Sequence, residues 1–139
     1  MSKKKILVVD DNLVVVKTAE LKLKQAGFEV FTAREGGDAV SITRKEKPDL
    51  IVLDIGFPPD VGHGGGVAWD GLLIMQWLRR LDEAKGTPII IITGMDPAQY
   101  HDKAMALGAS AFFTKPVNHE KLLEAIHQAL DGKTVAAAA

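Results

Sequence analysis

The chain has no cysteine among its 139 residues. That excludes a disulfide framework, a nucleophilic thiolate and any Cys-based zinc site. Long hydrophobic runs are also missing; none approaches the roughly 20 apolar residues that a membrane-spanning helix needs. Lysines stand at the N-terminus, but Asp10-Asp11 interrupt the apolar stretch behind them, so a secretory signal is not expected. Charge of one sign is not concentrated either. Seventeen basic residues face 18 acidic ones, for a formal net charge of −1, and the longest basic run is Lys3-Lys4-Lys5. A nucleic-acid footprint needs a clustered basic face. Contact with nucleic acid or membrane is therefore not expected, and a soluble, cytoplasmic setting is. The length suits one domain. A chain of this size buries about 68% of its unfolded surface, enough for a core without covalent staples.

What is present is a repeated pairing of short apolar runs with amphipathic stretches. Leu50-Ile51-Val52-Leu53-Asp54 is the organising one, four apolar residues ending on a carboxylate. It follows Pro48-Asp49 and reads as a strand buried on both faces. Ile6-Leu7-Val8-Val9 is a second such run and ends on Asp10-Asp11. Asp11 or Asn12 suits the cap of the next helix, which runs to about Ala26 and is closed by Gly27. Val15, Ala19, Leu23 and Ala26 form its expected buried stripe. Phe28 to Phe31 alternates as a one-sided strand would. Glu35 to Lys47 is a second helix, with Ala39, Ile42 and Thr43 inward and Pro48 at its end. After the strand Leu50–Leu53, Asp70 to Ala84 is a third helix. Ile89 to Ile92 is the most apolar strand. Asp96-Pro97 caps a fourth helix that reaches Leu107 and stops at Gly108. Ala111 to Phe113 is a fifth strand, and Asn118 caps a last helix through Leu130, with Leu122, Leu123, Ile126 and Leu130 inward.

Strand starts at Ile6, Phe28, Leu50, Ile89 and Ala111 are spaced 22, 22, 39 and 22 residues apart. Five regular strand–helix units imply an α/β fold, a doubly wound parallel sheet with helices on both faces. In such sheets chemistry collects at the carboxyl ends of the strands. There the chain offers Asp10 and Asp11, then Asp54, then Thr93-Gly94, then Thr114-Lys115-Pro116. Acids at strand ends are often only helix caps, and a Lys-Pro pair is often only a loop. Four such signals on one edge are harder to set aside. Converging carboxylates need a cation, and Mg²⁺ suits two carboxylates with open water positions. Beside a lysine and a hydroxyl, Asp54 can then serve as an in-line nucleophile for phosphoryl transfer.

With these motifs the chain resembles the response-regulator receiver domain, the phosphoacceptor module of two-component signalling. The resemblance runs from Lys4 to about Leu130. It rests on Ile6-Leu7-Val8-Val9-Asp10-Asp11, on Pro48 to Asp54 with Pro58 four later, on Pro88 through Thr93-Gly94, on Gly108-Ala109 and on Thr114-Lys115-Pro116. It implies a (βα)5 flavodoxin/CheY-like fold with strand order 2-1-3-4-5. It further implies that Asp54 is phosphorylated by a sensor histidine kinase or phosphotransfer protein. Asp11, Asp54 and the Gly56 backbone carbonyl would bind Mg²⁺ (or Mn²⁺), with Asp10 assisting. Lys115 would pair with the phosphoryl group, Thr93 would donate its hydroxyl, and Phe112 would be the aromatic that follows Thr93. The Lys115–Pro116 bond is expected to be cis. A downstream protein would read the face of the fourth helix, fifth strand and fifth helix, where Lys103, Glu120 and Lys121 stand. The implied protein is a phosphorylation substrate and not a conventional enzyme, monomeric or dimerising on phosphorylation.

The chain departs from the family after Asp54. Phe57 stands where the family has Met, and Asp-Gly arrives only at Asp70-Gly71, which makes this connection roughly nine residues longer than usual. The glycine-rich stretch 56–69 lacks Gly-Lys-Ser/Thr and is not a nucleotide P-loop. A plain insertion is slightly favoured over a lid on Asp54. Leu73 and Trp77, with Trp69 before them, form a second apolar stripe beside Leu72, Met75 and Leu78, so the third helix is expected to be covered by the insertion or by a partner. Gly56 and Met95 occupy the two positions that tune loss of the phosphoryl group in the family. Neither can orient a water, so slow hydrolysis is expected. His63, His101, His119 and His127 lack metal-ligand spacing and read as solvated. Residues 1–132 form the expected receiver and 133–139 a disordered tail, with no output domain recognisable in between or beyond; a free-standing receiver and a piece of a longer chain are equally compatible. Two other functions remain open: an aspartate-nucleophile phosphohydrolase, which Gly56 disfavours because an acid/base carboxylate belongs there, and a pseudo-receiver acting only as a binding module.

Overall fold

Each apolar run becomes a strand because its β-branched side chains fit a pleated surface covered from both sides. The computed structural model describes residues 3–10, 12–54, 71–84, 86–93, 97–114 and 117–131. The elements are β1 (Lys5–Val9), α1 (Leu13–Gln25), β2 (Glu29–Ala33), α2 (Gly36–Glu46), β3 (Leu50–Asp54), α3 (Gly71–Arg80), a 3-10 turn (Asp82–Ala84), β4 (Ile89–Thr93), α4 (Pro97–Ala106), β5 (Ala111–Thr114) and α5 (His119–Leu130). All strand pairs are parallel and their order is β2-β1-β3-β4-β5, as the resemblance implies. The insertion 56–69 and the tail 133–139 lie outside the described residues.

Alternation along the strands splits the core into two layers. Leu7, Val9, Ile51, Leu53, Ile89 and Ile91 face α2, α3 and α4, together with Ala39, Met75, Leu78 and Ala104. Ile6, Val8, Leu50, Val52 and Ile90 face α1 and α5, with Leu23, Leu122 and Ile126. Fully burying one such aliphatic side chain contributes about 1.5–3 kcal/mol. Register is pinned at the amino edge, where the Lys5 N–H donates to Asp49 Oδ2 at 2.7 Å and the Asp49 N–H returns to the Lys5 carbonyl at 2.8 Å.

Helix ends follow local chemistry. Asn12 Oδ1 accepts the N–H groups of Val14 and Val15, and Asn118 Oδ1 accepts that of Lys121. Gly27 and Gly108 close α1 and α4 with φ of 99° and 93°, values that favour glycine. Lys47, also left-handed, ends α2 just before Pro48. Gly36 opens α2 where a Cβ would come within 3.0 Å of the Trp77 ring, so a side chain there would push α2 from α3.

Three expectations need correction. In α1 it is Val16 and Leu23 that are buried, Val15 and Ala19 are only partly covered, and Ala26 is exposed. In α5 the buried set is Leu122, Ala125, Ile126 and Ala129, with Leu123 and Leu130 at the margin. The third helix is not continuous to Ala84. It stops at Arg80, and tight Leu81→Leu78 and Ala84→Leu81 bonds turn the chain toward β4. Trp77 is 40% exposed, and the insertion expected to cover α3 lies outside the described residues.

Arg79 holds this turn. Its Nη1 donates to the carbonyls of Ala84 (3.2 Å) and Thr87 (2.6 Å), and its Nη2 to that of Gly108 (3.0 Å). Partial burial lowers its pKa from the usual guanidinium value, yet the group stays charged. Arg79→Met keeps the stem and removes the fork. It is expected to cost about 2–3 kcal/mol in urea unfolding, and a loss under half of that would show the clamp to be incidental.

Candidate functional site

β3 carries a carboxylate to the edge of the sheet because the core layers on both sides bury it along its whole length, Asp54 included. Val9 pairs with Leu53, so the residues that follow them, Asp10 and Asp54, come to the same row of adjacent strands. Asp54 pairs with Ile92, and the next row pairs Thr93 with Thr114. Neighbouring strands lie about 4.8 Å apart, so Asp10, Asp54 and Thr93 are neighbours at one edge. Asp10 is 3% exposed, Asp54 2% and Thr93 not at all.

The side chains divide between the two faces. Val8, Asp10, Val52, Asp54 and Ile92 all border one cavity beneath α1 and α5. Thr93 is one residue beyond Ile92 and by alternation turns toward the α4 side. Phe112 lies on that side too, 5% exposed and packed in the layer with Ile91 and Ala104. His101 of α4 meets the Phe112 ring edge-on, with centroids 5.2 Å apart and planes at 72°. The expectation of solvated histidines holds for the exposed His101, but its packing on Phe112 was not legible in spacing alone. His127 likewise sits 5.5 Å from Phe28.

Asp10 has a local duty as well. Its Oδ1 accepts the Asn12 N–H at 3.0 Å, and Asn12 in turn caps α1. Turn-making and site-making coexist, since an ionised carboxylate has about four acceptor positions. Two carboxylates this deeply buried in one row are a donor set that fits a hard divalent cation, which offsets the cost of burying their charge. No group of three or more metal-ligating side chains occurs among the described residues. Asp11, Gly56, Met95, Lys115 and Pro116, with the ligand, ion-pair and cis-peptide expectations placed on them, lie outside the described residues.

The family model described as "Response regulator receiver domain" matches residues 6–127. The chain belongs to the response-regulator receiver family. Protein PilH of Pseudomonas aeruginosa is 34% identical over 130 residues, covering 92% of this chain and 98% of PilH. A probable transcriptional regulator, ycf27, of Cyanophora paradoxa is 34% identical over 122 residues, covering 88% of this chain. The receiver spans only about half the length of the ycf27 relatives, 46% in that one and 49% in one from Porphyridium aerugineum. Among solved structures, a CheY-like receiver domain protein from Methanospirillum hungatei superposes with a TM-score of 0.81 at 28% identity, covering 94% of this chain and 96% of that one. Vibrio cholerae CheY4 superposes with a TM-score of 0.78 at 28% identity, covering 91% and 98%.

Receivers are regulatory phosphoacceptors that generally bind Mg²⁺ where they are phosphorylated, and they exchange signals with histidine kinases or phosphotransfer proteins and with downstream effectors. No helix among the described residues is long and apolar enough to cross a membrane. The buried setting of Phe112 has a measurable consequence. Phe112→Ala is expected to cost about 3–5 kcal/mol in urea unfolding, and a cost below about 1 kcal/mol would contradict its place in the core.

Proposed function

We propose that Asp54 is the residue of this receiver that accepts a phosphoryl group from a sensor histidine kinase or phosphotransfer protein. The observation that carries the reading is the row shared by Asp10 and Asp54, with buried Thr93 beside it. An Asp54 oxygen attacks phosphorus in line, the bond from phosphorus to the donor nitrogen breaks, and an acyl phosphate results. Mg²⁺ or Mn²⁺ bound by Asp10, Asp11, Asp54 and the Gly56 carbonyl would supply charge neutralisation at the phosphoryl oxygens. Lys115 pairs with the same oxygens. Thr93 donates its hydroxyl to one of them, which draws Thr93 toward Asp54 and away from the Phe112 side.

Two surfaces suit the two partners. Leu13, Val14 and Leu21 of α1 are 48%, 72% and 58% exposed, and α1 starts at the edge that holds Asp54. They offer the phosphodonor an apolar landing site beside the acceptor. On α4 and α5, exposed Lys103, Glu120 and Lys121 flank the β5 region and suit the downstream protein. Gly56 supports this reading over phosphohydrolysis, because it provides no second acid/base carboxylate. The full acid–Thr–Lys set supports it over a mere binding module.

Incubation with a small phosphodonor and Mg²⁺, followed by intact mass measurement, is expected to show a gain of one phosphoryl group that Asp54→Ala abolishes. Steady phosphate release would indicate the hydrolase, and no gain would indicate the binding module. The acyl phosphate is expected to hydrolyse slowly, because Gly56 and Met95 cannot orient a water. Gly56→Asn should shorten its half-life several-fold, and an unchanged half-life would refute that cause.

A further inference from the structure

A cavity of about 290 Å³ lies between α1 and α5, over β1, β3 and β4. Its described walls are aliphatic except at Asp10, Thr18, Asp54 and His119. Leu23, Val52 and Leu122 in those walls are buried, whereas Val15 and Ala19 are only partly covered. Val14 and Thr18 also line it and are exposed, so the cavity meets solvent along this side of α1. Ligand pockets commonly run upward from about 300 Å³, and an apolar cavity of about 150 Å³ already takes up benzene. The space here suits a compact molecule and not an extended one. Its polar wall residues make no demand that a ligand must answer. Asp10 and Asp54 are both engaged in interactions already, and Asp10 Oδ1 accepts the Asn12 N–H. No buried side-chain nitrogen or oxygen among the described residues lacks a hydrogen-bond partner. What has no match is the aliphatic surface, which gives water nothing to bond to.

We propose that this cavity binds a compact uncharged apolar molecule, a single ring or a branched chain of similar bulk. Burial of apolar surface drives its entry. An organic ion of the same size would shed its water against aliphatic walls, and carboxylates that are already engaged return little for that loss. A sugar or another strongly polar neutral molecule meets the same objection, because its hydroxyls would go unpartnered. Val14, 72% exposed at the mouth, continues the apolar surface outward. The occupant would bridge α1 and α5 over the strand that carries Asp54. Such a site gives the receiver a chemical input separate from phosphorylation. Binding itself does not depend on Asp54 being the acceptor; only its regulatory meaning rests on that reading.

The test is titration of the full chain with toluene, followed by amide NMR. Saturable shifts are expected at Val15, Ala19, Val52 and Leu122. Benzylammonium and benzoate present the same ring with a charge of either sign, and each should bind about tenfold more weakly. Ala19→Leu adds bulk from α1 and should abolish the saturable shifts while the rest of the spectrum stays native. Absence of saturable shifts, equal binding of either ion, or undiminished binding to a folded Ala19→Leu would each overturn the proposal. Should Ala19→Leu not fold, the smaller Ala19→Val must weaken binding several-fold, and an unchanged affinity there would overturn it too. No phosphodonor enters the measurement. A protein that binds toluene but gains no phosphoryl group therefore supports the cavity and counts against the acceptor reading alone.

Discussion

Everything at the carboxyl edge depends on the register of β3 between β1 and β4. Val9 opposite Leu53, and Leu53 opposite Ile91, are core pairings first. Because both faces of β3 are covered, a slip of one residue would exchange its two side-chain sets between layers packed by different helices. Ile51 and Leu53 would move against α1 and α5, and Leu50 and Val52 against α2 and α3. The placement of Asp10 beside Asp54 is the last step of that same pairing. The site is thus positioned by aliphatic packing, together with the Lys5–Asp49 contacts that pin the same two strands at their amino end.

The arrangement carries an electrostatic cost. Asp10 and Asp54 are as buried as the valines and leucines before them, and burying a carboxylate is unfavourable unless something compensates it. Asp10 offsets part by accepting the Asn12 N–H and so fixing the turn into α1. A cation, or a phosphoryl group met by donors, interacts more strongly here than at a solvated surface because water is largely excluded.

Most of this fold was legible in residue order. Apolar runs of strand length, the caps Asn12 and Asn118, and the stops Gly27 and Gly108 each name a local conformation. Their even spacing names the parallel sheet. Legibility fails where distance between elements matters. Periodicity puts Val15 and Ala19 on the inner side of α1, and they do line a cavity there; it could not show that this cavity leaves them partly covered while Val16 is buried. The same holds for α3. Its apolar pattern continues through Leu81, but the need to reach β4 converts the end into 3-10 turns tied down by Arg79. His101 on Phe112 joins two residues from separate elements, and nothing local to either announces it.

The sheet itself separates the two sides of the proposed switch. Asp54 and Asp10 open onto the α1–α5 layer, whereas Thr93 and Phe112 belong to the α4 side. Among the described residues, apolar side chains fill most of the interior of the sheet, a poor medium for carrying a polar change at Asp54 straight through it. The route that remains is around the edge, where Asp54 and Thr93 are one residue apart in register on adjacent strands. A hydroxyl is suited to that crossing, since it can donate to a new oxygen on one face while its backbone stays in β4. Movement of Thr93 would alter packing at Phe112 and hence at His101, which is already at the surface. A phosphoryl group on Asp54 would thus be what links a carboxylate on the α1–α5 side to Thr93 and Phe112 on the α4 side.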